Sequence, residues 1–149
     1  MLEDNLDRLK ILCITNDFGP RAGGIETFII GLIQSLPKNS VIVYTASQAG
    51  SAPFDAMWLG DYGVEVIRDP SKVLLPSFRV GSKVRKLVRA RDIKFVFFGA
   101  AAPLALLAPG LRRVGVKKIV ALTHGHEVWW SRLWPFSWAI ARIGRAVDS

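Results

Sequence analysis

The chain has 149 residues, half of them hydrophobic, which is enough for one domain with a proper core and leaves no low-complexity or disordered stretch. Its net charge of +8 is unevenly spread: residues 1–71 carry 5 basic and 9 acidic side chains, residues 72–149 carry 15 and 3. Such asymmetry implies an anionic partner, whether nucleic acid, an anionic membrane surface or a phosphorylated small molecule. The single cysteine, Cys13, excludes an internal disulfide and reads as a small buried hydrophobe. The charged start, "MLEDNLDRLK", has no secretory signal, and the longest apolar run, residues 95–111, is interrupted by Gly99, Pro103, Pro109 and Gly110. These features predict a cytoplasmic chain.

In chain order, "LKILCIT" (Leu9 to Thr15) reads as a first strand and Ile25 to Ser35 as a helix, with Ile25, Phe28, Ile29 and Leu32 at spacings of three and four. Glu26 falls in its first turn, where the helix dipole favours an acid. "SVIVYTA" (Ser40 to Ala46) is a second strand. Residues 47–63, with Pro53, Trp58 and several small residues, read as loop. "VEVIR" (Val64 to Arg68) is a third strand, ended by Asp69-Pro70. Val80 to Arg91 is an amphipathic helix, "IKFVFFG" (Ile93 to Gly99) a fourth strand, and Ala101 to Val114 a helix. "KKIVALTHG" (Lys117 to Gly125) is a fifth strand, and a last helix is expected over Trp134 to Val147. Near-continuous apolar strands alternating with helices predict a Rossmann-like α/β domain, a doubly wound, mainly parallel sheet with helices on both faces.

In such a sheet, ligands bind beyond the carboxyl ends of the strands. Two polar exits lie there, "NDFGPRAGG" after the first strand and "THGHE" after the fifth. The adjacent Gly23 and Gly24 have two readings: a tight turn into the helix, or a place where φ > 0 and bare amides at a helix N-terminus receive an anion. His124 and His126 are the only histidines and lie beside Glu127. H-G-H on an extended strand puts the two rings on opposite sides with no third ligand evident, so no metal is expected. The glycine loop lacks the G-x-G-x-x-G pattern and the second strand ends in "YTASQ" without an acid, which disfavours a dinucleotide. No G-K-[ST] follows the glycines, which excludes a P-loop.

With "NDFGPRAGGIETF" after the first strand and "THGHEVWW" at the fifth, the chain resembles the N-terminal domain of retaining GT-B glycosyltransferases of the GT4 type. The resemblance is closest to the phosphatidylinositol-mannoside mannosyltransferases that use GDP-mannose. It implies that Gly23 and Gly24 approach the donor diphosphate and sugar, and that His124 is the catalytic residue beside the transferred sugar. It also implies that no metal or other cofactor takes part, the nucleotide sugar being a substrate, and that the leaving phosphate takes the acceptor's proton. A second, nucleotide-binding domain completes such enzymes, and nothing in these 149 residues matches it, so the isolated chain is expected to have little transfer activity.

The segment from Lys72 to Lys94 holds eight basic residues and one acid, Asp92. On its helix Arg79, Lys83 and Lys86 share a stripe, Arg85 and Arg89 lie beside it, and Val80, Val84, Leu87 and Val88 face the sheet. A solvated outer face normally mixes signs, and this one does not, which favours an anionic membrane surface. The resembled enzymes set a basic helix against anionic phosphoinositide acceptors, which assigns Asn16, Asp17, Arg79, Lys83, Lys86 and Arg89 to acceptor or membrane contact on the inner face of the cell membrane. The alternative is a non-catalytic basic domain that binds anionic lipid or nucleic acid, although no nucleic-acid motif is present. Trp129, Trp130, Trp134 and Trp138 suit either acceptor contact or packing.

Overall fold

A computed structural model describes residues 9–21 and 23–123 of the protein. Five strands form one sheet: β1 (Ile11–Ile14), β2 (Val41–Ala46), β3 (Glu65–Asp69), β4 (Phe95–Phe98) and β5 (Lys118–Ala121). Their spatial order is β3-β2-β1-β4-β5 and every pairing is parallel, with Cys13 opposite Val43 on one side and Phe97 on the other. All four residues of β1 and all six of β2 are buried. That explains why their sequences are continuous apolar runs and not alternating ones.

Helices cover both faces. On one, α1 (Gly24–Gln34) and α2 (Ser51–Tyr62) lay Ile29, Ile33 and Trp58 against Ile11, Cys13, Val41, Val43 and Phe97. On the other, α3 (Phe78–Arg91), a 3-10 turn (Leu104–Leu107) and α4 (Ala108–Arg113) press Val80, Val84, Val88, Leu104 and Leu111 onto Leu12, Ile14, Ile42, Val96, Phe98 and Ile119. Cys13 is fully buried, and burial pushes its thiol well above the ordinary range. The expected doubly wound domain is therefore what forms.

Three elements depart from expectation. Residues 51–62 form α2 and not a loop. Its apolar residues surround the whole helix, so no amphipathic period marks it, and Pro53 is tolerated because first-turn N–H groups lack helical partners in any case. What builds α2 is the row Phe54, Trp58 and Tyr62, one turn apart, whose rings meet in tilted contact with centroids 6.2 and 4.7 Å apart. The helix expected over 101–114 is instead a 3-10 turn and the short α4, divided where Pro103 and Pro109 remove donors. Helix α3 begins two residues early, at Phe78, because Ser77 caps it, accepting the Val80 N–H at 3.2 Å. The helix expected over 134–147 lies outside the described residues.

Candidate functional site

The strand order reverses between β1 and β4, so their carboxyl ends diverge into the crevice where open α/β sheets bind ligands. The β1 exit reaches this edge under tight control. Asn16 clasps the backbone of Leu74, its Nδ2 donating to the carbonyl at 3.1 Å and its Oδ1 accepting the N–H at 2.7 Å. Below the loop, Arg68 from β3 acts as a clamp on four residues. Its guanidinium donates to Asp55 of α2 (2.7 Å from Nη2), to the Phe18 and Ala46 carbonyls from Nη1 and to Gly19 from Nη2. A rigid fork of donors suits this task and an ammonium would not. The clamp joins the β1 exit, the β2 end and α2 into one unit.

Gly23 is the N-cap of α1 and Gly24 its first residue. Gly23 has φ −154°, extended backbone open to any residue, so the expected left-handed glycine does not occur there. At Gly24 an added Cβ would meet nothing within 4 Å and the residue is exposed, so packing does not require a glycine there. A Cβ on Gly23 would run into the Glu26 carboxylate, which folds back over the start of the helix. An acid there is favoured by the dipole. It holds the position that the same physics offers to a phosphate.

Beside this helix start lies an open cleft of about 800 Å³ formed by the exits of β1, β2 and β3. Asn16, Asp17, Arg21 and Glu26 form one wall, Ser47, Gln48 and Ala49 the second, and Pro70, Lys72 and Val73 the third. The Arg21 N–H donates to Gln48 Oε1 at 3.3 Å, which links two of the walls. The lining holds two cations, two acids and two amides, a donor and acceptor set suited to a hydroxyl-rich ligand carrying a phosphate.

The third wall is anchored by Asp69, a carboxylate buried to 1% exposure. Arg79 grips both its oxygens at 2.8 and 3.0 Å, Tyr44 donates at 2.6 Å, and Ser71 donates from both N–H and hydroxyl. Lys83 Nζ stands 3.7 Å away. The Arg79 guanidinium, with the Ser71 and Tyr44 donors, holds the Asp69 carboxyl far below the usual carboxylate range against the opposing pull of burial. Burial and the adjacent carboxylate push the Tyr44 hydroxyl above the usual phenol range, and Asp69 raises Arg79 further.

The structure thus brings Asn16, Asp17, Gly23 and Gly24 to one edge. Arg79 and Lys83 stand around Asp69 behind the cleft wall, while Lys86 and Arg89 are exposed farther along α3 and line no part of the cleft. His124, His126, Glu127 and the four tryptophans from Trp129 to Trp138 lie outside the described residues. Sequence reading missed Arg68, Asp55, Asp69, Tyr44 and Gln48, and placed Lys72 only in the basic segment. Asp69-Pro70 registered only as a strand terminator, although an acid just before a Pro-Ser-Lys turn that leads into a basic helix is itself a signal of pairing.

A family model described as glycosyltransferase family 4 matches residues 22–149. A GDP-mannose-dependent alpha-(1-6)-phosphatidylinositol monomannoside mannosyltransferase of Mycolicibacterium smegmatis is 42% identical over 139 residues, covering 93% of this chain and 36% of the relative. A protein of the same name from Mycobacterium tuberculosis is 41% identical over 142 residues, 93% and 37% of the two chains. A GDP-mannose-dependent monoacylated alpha-(1-6)-phosphatidylinositol monomannoside mannosyltransferase of Corynebacterium glutamicum is 40% identical over 139 residues, 93% and 36%. The chain spans little more than a third of the length of the curated relatives it matches.

Proposed function

The chain belongs to glycosyltransferase family 4, and from that premise we propose that it is the acceptor-side half of a retaining, metal-independent mannosyltransferase. The proposed reaction moves mannose from GDP-mannose to a phosphatidylinositol-mannoside glycolipid at the inner face of the cell membrane. The observation that carries this reading is the shared edge: the open helix start at Gly23–Gly24 and the polar cleft from Asn16 to Val73 adjoin at the carboxyl end of one parallel sheet. Donor and acceptor need such adjacency, because transfer requires the reacting groups about 3–3.5 Å apart. The relatives' names supply the donor and the acceptor class.

In this reading the α1 N-terminus faces the donor diphosphate, with the Glu26 carboxylate moving aside or bonding a sugar hydroxyl. His124 orients the transferred sugar and favours charge building toward the leaving group. The leaving phosphate takes the acceptor's proton. Asn16 and Asp17 contact the acceptor's hydroxyls, and Lys72 meets its phosphate. A second domain completes the donor site, so the 149 residues alone transfer little sugar.

Attachment to the membrane is supported by the neighbourhood of the cleft. Val73, Leu75 and Phe78 are 58, 58 and 88% exposed, three large apolar side chains within six residues, next to Lys72 and to Arg79 and Lys83, which pair with Asp69 yet remain half-exposed. Apolar protrusions ringed by cations fit an anionic bilayer. The proposed attachment is peripheral, and no helix among the described residues is long and apolar enough to cross a membrane. Sedimentation with vesicles containing phosphatidylinositol tests it: binding lost in Lys83→Glu/Lys86→Glu/Arg89→Glu supports the reading, and no binding at low salt refutes it.

A further inference from the structure

Resting on that membrane reading, we infer that the domain carries a second leaflet contact on the turn from α4 to β5, at the opposite edge of the sheet from the cleft, made by Arg113, Lys117 and Lys118. Helices α3 and α4 lie on the same face of the sheet. Each returns from a strand's carboxyl end to the next strand's start, so their C-terminal ends share the amino edge. They pack as one layer. Leu107 Cδ2 lies 3.3 Å from where a Cβ on Gly81 would sit, and Arg85 Nη1 lies 3.0 and 3.2 Å from the corresponding points on Gly81 and Gly110. A surface spanning both helices is therefore held as one rigid plate.

That plate is mainly basic, and of the acids at its edge Glu65 is held by Arg91 at 2.8 Å. Lys86, Arg89, Arg113, Lys117 and Lys118 are all exposed, and the acid at this end of α3, Asp92, is matched by Lys94 at 2.8 Å. Basic residues in the last turn of a helix also complement its dipole, which accounts for Arg113. It does not account for Lys117 and Lys118, which lie beyond the helix, and a lysine guarding the outermost strand among the described residues explains at most one of them. The turn is also tightly built. Gly115 and Val116 donate to Arg112 and Leu111, both lysine N–H groups donate to the Lys94 carbonyl at 2.8 and 3.1 Å, and the Arg112 guanidinium donates to the Lys117 carbonyl. Little backbone freedom is lost when such a turn meets a surface.

The 14 residues of α3 span about 21 Å, so contacts at its two ends fix the domain's tilt. The Val73–Phe78 segment touches the leaflet at one end and the α4–β5 turn at the other, with the cleft opening along the bilayer and not away from it. The test uses the chain with phosphatidylcholine vesicles, with and without phosphatidylglycerol, across a salt series. Arg113→Glu/Lys117→Glu/Lys118→Glu is expected to weaken partitioning onto the anionic vesicles at least tenfold and to flatten its salt dependence. The milder triple change to Gln, checked for an unchanged melting temperature, should give a smaller loss of the same kind. If both triple variants bind like the parent while Lys86→Glu/Arg89→Glu binds less, the second contact is refuted and the membrane reading stands. If none of the variants alters binding, both are refuted. Unchanged vesicle binding with lost affinity for a polyglutamate peptide or RNA would give this surface to an acidic macromolecule and equally overturn the proposal.

Discussion

Asp69→Asn tests whether the cleft's third wall hangs on one buried charge. The substitution keeps the shape of the side chain and removes its charge, placing an NH2 group where Arg79, Tyr44 or Ser71 now donates. Removing one partner of a buried pair costs about 3–5 kcal/mol. Here the lower end, about 3 kcal/mol, applies, because Arg79 is 49% exposed and water recovers part of its solvation. At about 2–4 °C per kcal/mol for a domain of this size, the melting temperature should fall by roughly 6–12 °C. Urea melts of parent and variant measure the difference. The pH dependence gives a second reading. The folded carboxyl lies below its ordinary 3.8, so its contribution is complete above that pH and is lost as pH falls from there toward the folded value. The parent should lose stability more steeply than Asp69→Asn on acidification below about pH 4. A variant within about 0.5 kcal/mol of the parent, the scatter of inconsequential surface changes, would refute the reasoning.

Other perturbations separate structure from function. Arg68→Met should cost about 3 kcal/mol, since it strands the Asp55 carboxylate and three carbonyls, and should speed hydrogen exchange of the Asp17–Arg21 amides beyond the global loss. Gly99→Ala should destabilise by about 1–3 kcal/mol, because the new methyl lands on the Thr15 side chain and on Ile29 Cδ1 at 2.7 Å; thermal melts decide. Trp58→Ala, which empties a site 1% exposed between Phe18, Phe54 and Tyr62, should cost about 3–5 kcal/mol in urea melts. Gly24→Ala meets open space and should stabilise by about 0.5 kcal/mol; a gain in stability with a loss of sugar transfer would mark Gly24 as a glycine kept for the donor.

The sheet was legible because parallel strands covered on both faces must be apolar throughout, and "ILCI", "VIVYTA" and "FVFF" are. Helix α3 was legible from Val80, Val84 and Val88 beneath a basic face. Helix α2 was not, since periodicity reports a contrast between two sides and Ala52, Ala56, Met57 and Leu59 leave none; only the aromatic spacing at 54, 58 and 62 encoded it. Of the site, the glycine pair could be read as the start of a helix, but not its reason: Gly23 is extended and packing requires no glycine at Gly24. The Arg68 clamp and the Asp69 anchor were invisible for a different cause. Their partners lie up to 50 residues away in sequence, and only the parallel register of β2 and β3 brings Tyr44 and Ala46 beside them.

The most direct test of the proposed function restores the remainder of the enzyme. The chain is placed in the position of the matched segment in the Mycolicibacterium smegmatis relative, and the chimera is given GDP-mannose and vesicles containing phosphatidylinositol monomannoside. The account predicts transfer of mannose to the lipid, abolished by His124→Ala and reduced by Gly24→Ala. A folded chimera that binds GDP-mannose as tightly as the relative yet leaves the lipid unmodified would contradict it.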